Sequence, residues 1–242
     1  EFPVQETFLG TCDDFLVLCC KNFVPEHTKL ITFDVFLRTL YNSYELTEII
    51  DLNQFERVLR ENEILRQYRN DLVKSFWDMI VLDIFIENLE RTTSDFGYII
   101  SKNNVTPAPL YDVRTNGLAC TVPLRLNGKP ILRDDLLYSR AYKDFNDAIT
   151  RIVPILETKM SQIHNLVHSQ ECLSESQKSW KIEQLQKTLQ DLKCSYNLKQ
   201  VMATMEIENL PLTEQSLKNL RELSLGQKTV NEIIKEIKCR YS

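Results

Sequence analysis

Residues Asp71 to Asn88 constrain this chain more than any others. The segment carries Phe76, Trp77, Met79, Ile80, Leu82, Ile84 and Phe85, with Asp83 among them. It is apolar on most sides rather than along one stripe. A helix of that kind has to be covered all round. The chain must therefore enclose it in a core, and 242 residues at 43% hydrophobic content are enough to do so. The segment then runs straight into a polar loop holding Glu90, Arg91, Thr92, Thr93 and Asp95.

The flanking patterns supply the remaining elements. Val4 to Leu9 alternates, and Phe15 to Cys20 is an apolar run of strand length, with Asp13-Asp14 as the hairpin turn between them. After Pro25 the pattern turns helical. Phe33, Phe36, Leu37 and Leu40 share one face, and Leu59, Ile64 and Leu65 mark a second helix, with Tyr68 close behind. Beyond the polar loop, two short strands are expected at Phe96–Ile100 and Ala108–Tyr111, around a turn at residues 101–104. Asn127-Gly128 marks another turn. Helices are then expected over Tyr138–Ile149, Ile155–Val167 and Ser174–Ser195, the last opened by the capping box Ser174-Glu-Ser-Gln177. Residues from Met202 to Asn209 and Pro211 break the pattern. A helix then starts at Thr213 and ends at Gly226, and a final one opens with the capping box Thr229–Glu232 and carries the stripe Ile233, Ile234, Ile237, Tyr241.

Charge and cysteine usage narrow the function classes. The net charge is -5, which provides no basic field for nucleic acid or an anionic membrane. No apolar stretch approaches the roughly 20 residues of a bilayer span. The opening EFPVQETFLG has neither the basic start nor the apolar run of a secretory signal, and it reads as the inside of a domain, so a segment upstream of Glu1 is expected. Seven cysteines, irregularly spaced and without a CxxC, fit reduced thiols and a cytoplasmic setting. His164 and His168 stand one helical turn apart with no acidic or thiol partner on the next turn, so they read as polar-face residues rather than metal ligands.

The polar loop has the residue types that phosphoryl transfer needs. A carboxylate must orient the substrate hydroxyl, and one or two further oxygen ligands must hold Mg2+ on the ATP phosphates. Glu90, Asp95 and Asp112 fill those roles by type, and Asp112 ends the second of the two strands that lead back from the loop. Over residues 1 to about 170 the chain resembles the HipA-like serine/threonine kinases, most closely their CtkA branch. The resemblance is carried by FPVQETFLG (2–10), LVLCCKNF (16–23), FWDMIVLDIFIENLERTTSDFGYI (76–99), APLYDVRTNGL (108–118) and AITRIVP (148–154). It implies Glu90 at the catalytic Asp position followed by the retained Arg91, and Asp95 and Asp112 as the ligands of Mg2+ and its ATP. The sequence departs from the family pattern at four places. Glu87 stands for Gly, Glu90 for Asp, Thr92 for His and Asp95 for Asn. Asn88 and Asp112 are kept. The family's phosphate-binding lysine and glycine-rich loop are expected upstream of Glu1.

The C-terminal stretch carries a second resemblance. Thr204-Met-Glu-Ile-Glu208-Asn209 fits a Ser/Thr-x-x-x-Glu-Gly/Asn pattern, and LPLTEQSLKNLRELSLGQKTVNEIIKEIKCRY follows it. This is similar to VbhA-type antitoxins, which silence Fic-domain AMP-transferases by presenting the motif glutamate to a nucleotide-binding arginine. The resemblance implies Glu208 as the inhibitory carboxylate, Thr204 beside it on the same face, and Asn209 ending the helix.

The expected fold is mainly α (α+β). Residues 1–25 are the end of an N-lobe-like β segment, 26–172 a HipA/CtkA-like kinase C-lobe, 173–197 a connecting helix and 198–242 a helical antitoxin-like segment. Three functions follow. The first is a degenerate kinase-fold protein of a toxin–antitoxin system whose tail inhibits a Fic-domain partner. The second is an active kinase acting on a protein substrate through Glu90, Asp95 and Asp112. The third is a non-catalytic helical interaction module that uses the long helix.

Overall fold

The computed structural model describes residues 3–13, 15–42, 48–102, 104–114, 121–208, 213–224 and 226–240. The chain divides into two compact units, Glu1–Met79 with Glu87–Arg133, and Ile80–Ile86 with Asp134–Ser242.

The first unit is a set of small sheets against short helices. Strands β1 (Thr7–Cys12) and β2 (Phe15–Cys20) form an antiparallel hairpin, with Asp13 left-handed at its turn (φ 49°); Asp14 lies outside the described residues. The first strand therefore starts at Thr7 rather than Val4. Val4 instead bridges in parallel to Leu110. Strand β3 (Lys29–Thr32) leads into α1 (Phe33–Tyr41), and β4 (Ile50–Asp51) leads into α2 (Leu52–Glu61). Asp51 caps α2 by accepting from the Asn53 and Gln54 amides, while its second oxygen accepts from Gly128 N at 3.0 Å. That α2 ends before Ile64 and Leu65 corrects the sequence expectation. The Asn62 side chain accepts from both their amides and starts a 3-10 turn at Arg66–Tyr68.

Helix α3 (Arg69–Ile86) is the enclosed helix that the sequence demands. Leu72, Phe76, Trp77 and Met79 are buried in the first unit, as are Ile80, Val81, Ile84 and Phe85 in the second. In the first unit the rings of Phe55 and Phe76 stack at 4.0 Å and those of Phe33 and Phe96 at 4.9 Å. Strands β5 (Gly97–Ile100) and β6 (Val105–Pro107) join β3 in the order β3-β5-β6, and β7 (Thr121–Leu126) and β8 (Lys129–Leu132) join β4 in the order β4-β7-β8. The second of the expected strands lies a few residues early, because Ala108–Tyr111 is taken up by the pairing of Leu110 with the N-terminal segment. Asn127 and Gly128 are both left-handed, as a two-residue hairpin turn requires.

The second unit is helical. It holds α4 (Arg133–Tyr138, from Asp134 on), α5 (Lys143–His168), α6 (Glu175–Ile207), α7 (Glu214–Ser224) and α8 (Val230–Arg240). The α6 side chains Lys181 and Thr188 donate to the Ile86 and Phe85 carbonyls, which α3 leaves open at its C-terminal end. Two expected breaks are absent. Helix α5 passes through Pro154, because Ile149, Ile152, Val153 and Leu156 are buried on both sides of it, and that burial outweighs one lost backbone bond. Helix α6 does not stop near residue 197 or at Met202, because Leu198 and Met202 continue its buried stripe. Both capping boxes form, Ser174 with Gln177 and Thr229 with Glu232, and Gly226 ends α7 with φ 67°. No helix is long and apolar enough to cross a membrane among the described residues.

Candidate functional site

The loop between α3 and β5 is held from below. The Phe96 and Thr93 carbonyls accept from Phe33 N and Asp34 N, the first amides of α1, and Thr93 N donates to the Glu48 carbonyl. Arg91 is buried, and its Nη1 donates to the carbonyls of Asp95 (2.7 Å) and Tyr111 (3.3 Å). One guanidinium thus ties the acidic loop to the segment that carries Asp112. The Tyr111 hydroxyl donates back to Ser94 O at 3.1 Å, and burial followed by the nearby Asp95 charge pushes its ionisation upward.

The loop's own polar groups consume Asp95. Its Oδ2 accepts from Thr92 N at 2.8 Å and from Thr92 Oγ1 at 2.9 Å. Asp112 is left-handed (φ 48°), and both its oxygens accept from Arg114, Oδ1 from Nε at 3.1 Å and Oδ2 from Nη2 at 2.9 Å. The Arg114 guanidinium is held above its usual range by its hydrogen bonds to Asp112 and by that carboxylate's charge; the desolvation that opposes them exceeds the pulls of Asp95 and Glu90. Asp112 is thus the acidic candidate that pairs with this cation. The Arg114 amide also donates to Oδ1 of the buried Asn88 at 3.4 Å.

Glu90 is exposed and stands on the wall of a cleft of about 510 Å3 with Glu48, Arg91, Thr92, Arg114 and Arg125. Asp95 lines a separate cavity of about 20 Å3 with Phe96, Gly97 and Leu110. The structure thus brings Glu90 and Arg91 to one cleft, sets Asp95 against the apolar layer below, and ties Asp112 to Arg114. No group of three or more His, Cys, Asp or Glu placed to hold a metal ion occurs among the described residues. Mg2+ in nucleotide sites is held by one or two carboxylates plus phosphates. The fit to that ion therefore turns on Asp112, whose oxygens already face a guanidinium. Sequence reasoning missed Arg114; its only trace was a basic residue two positions after the expected ligand.

The second motif sits at the end of α6. Glu208 N donates to Thr204 O at 3.1 Å, so the two residues share a face one turn apart, and both are exposed. The Thr204 hydroxyl donates to the Gln200 carbonyl of its own helix. Ile207, between them and Asn209, is 82% exposed. Asn209 lies outside the described residues.

No family model matches the chain. It is similar to the serine/threonine-protein kinase CtkA of Helicobacter pylori, 26% identical over 211 aligned positions that cover 73% of this chain. The chain spans 62% of the length of that relative. A crystal structure described as a Helicobacter pylori proinflammatory kinase CtkA superposes with a TM-score of 0.73 at 22% identity, over 84% of this chain and 82% of that one. The chain has the fold of the CtkA kinase.

Proposed function

We propose that this chain is a kinase-fold protein whose phosphotransfer centre is degenerate, and that it works by contact, presenting the end of α6 to a Fic-domain AMP-transferase. The observation that carries the first half is Arg114. Its guanidinium grips both oxygens of Asp112. A protein cation there answers the charge that a Mg2+–phosphate group would otherwise answer, and Arg is never deprotonated. The change from Asn to Asp at residue 95 points the same way. Its carboxylate serves to fasten the Thr92 turn. The second half rests on Thr204, Ile207 and Glu208, which are exposed on the last turns of a long helix. A carboxylate at such an end competes well for a bidentate arginine.

Calorimetry with Mg-ATP tests the kinase half, on the intact chain and on Asp112→Ala and Arg114→Ala. The intact chain is expected to give no binding heat at millimolar ATP. Binding that Asp112→Ala abolishes would overturn this reading. The tail half is tested by AMP transfer from a Fic-domain enzyme with and without the chain. Inhibition is expected to be lost in Glu208→Ala and kept in Glu206→Ala.

The second reading is an active kinase. It is favoured by one observation, that Glu90 is exposed on the wall of the 510 Å3 cleft, where a hydroxyl substrate has room to approach. CtkA is itself named a serine/threonine kinase. On this reading Glu90→Gln abolishes phosphoryl transfer while leaving ATP binding in place.

A further inference from the structure

A second cleft, of about 410 Å3, lies in the helical unit, walled by α5 and α6. Lys199 of α6 stands on its wall. Its Nζ donates to the Leu137 carbonyl at 2.6 Å and to Ser195 Oγ at 2.7 Å. Ser195 is fully buried, and its own hydroxyl donates to the same carbonyl. The partners of this ammonium are therefore neutral. The Phe145 ring lies 5.7 Å away. No carboxylate pairs with it among the described residues. A half-buried cation with neutral partners is drawn toward its uncharged form, and desolvation pushes Lys199 down to about 8. Two of the amine's hydrogens satisfy Leu137 and Ser195, which leaves the lone pair of the neutral form for a third direction.

The same cleft is lined by Arg140 and Lys143, with Asp147 as its carboxylate. Cations next to an amine nucleophile select for an electrophile that carries negative charge. We propose that Lys199 is a nucleophilic modification site, and that its cleft recruits small anionic acyl donors of the acyl phosphate class. In the step, Nζ attacks the acyl carbon and the N–C bond forms. The carbon–oxygen bond to phosphate breaks, inorganic phosphate leaves with the electron pair, and the amine proton goes to solvent. The product is an amide at Lys199, with no redox change.

The test uses acetyl phosphate on the intact chain near neutral pH, with acetylation read for each lysine by peptide mass spectrometry. Lys199 is expected to react on the order of tenfold faster than the exposed Lys235. Inorganic phosphate is expected to slow Lys199 and leave Lys235 unchanged, a readout that needs no variant. Arg140→Ala with Lys143→Ala is expected to slow the acetyl phosphate reaction at least several-fold and to leave that with acetic anhydride, a neutral donor, unchanged. A Lys199 rate no higher than that of Lys235 would overturn the nucleophile. A fast Lys199 indifferent to inorganic phosphate would overturn the anionic recruitment.

Discussion

Glu87 shows how much a single position can hold. It follows α3 with φ 63°, it is buried, and its Oε1 has no hydrogen-bond partner. A left-handed residue that ends a helix is best served by glycine, since any Cβ is strained there. A buried oxygen without a donor adds a desolvation cost. Glu87→Gly is therefore expected to raise stability by about 1–2 kcal/mol, read as a higher urea midpoint at unchanged slope. Lys199 makes a prediction with a pH signature. Its folded-state value lies near 8, below the ordinary 10.5. In that window the unfolded chain holds the proton and the folded chain does not, so the native state gains stability as pH rises from 8 to 10.5. Relative to Lys199→Met, the wild type should gain on the order of 2 kcal/mol between pH 7 and 10.5. Matched urea titrations of both proteins at those two pH values check it.

Among the elements, β5 lies tightly against β3 at Gly97. A Cβ on Gly97 would sit 2.3 Å from the Ile31 carbonyl oxygen and 2.7 Å from Thr32 Cα, both in the backbone. Neither can swing aside as a side chain would. Gly97→Ala is expected to cost about 2–4 kcal/mol and to spread β3 from β5, which thermal melting and amide exchange at Leu30 and Ile99 would detect. Which elements exist was legible in sequence wherever the signal is local. The Asn127-Gly128 turn, the two capping boxes and the glycine end of α7 all follow from side chains or φ values within a few residues. Where elements end was less legible. Pro154 and the stretch after Ser195 look like breaks in isolation. They lie inside helices because Val153, Leu156, Leu198 and Met202 are buried against partners distant in sequence.

For the molecule as a whole, the balance of charge is the simplest property to test. At -5 overall, the chain has no large positive field. It is expected to pass through a heparin column at about 0.15 M salt, since the phosphate-contact affinity of polyanion binders comes from clustered Lys and Arg. Retention would place a basic face where the proposed function has none. The kinase-like fold was itself legible, because the order of motifs from LVLCCKNF to APLYD survives in the chain. The contacts of the acidic loop were not legible. The departures at residues 87, 90, 92 and 95 stand in the sequence, but nothing there shows what they are bonded to.

The segment at 71–88 had to be enclosed whatever the rest of the chain did, because apolar residues on every side leave no face for water. The turns and caps were settled in the same way, by short-range geometry. Long-range folding decided the rest. It ran α6 on to Ile207, tied Arg91 to the Tyr111 carbonyl, and placed Lys199 against the Leu137 carbonyl. Each of those outcomes depends on which distant groups share one buried or charged environment. That is set by the packing of the whole fold and by no window of the chain.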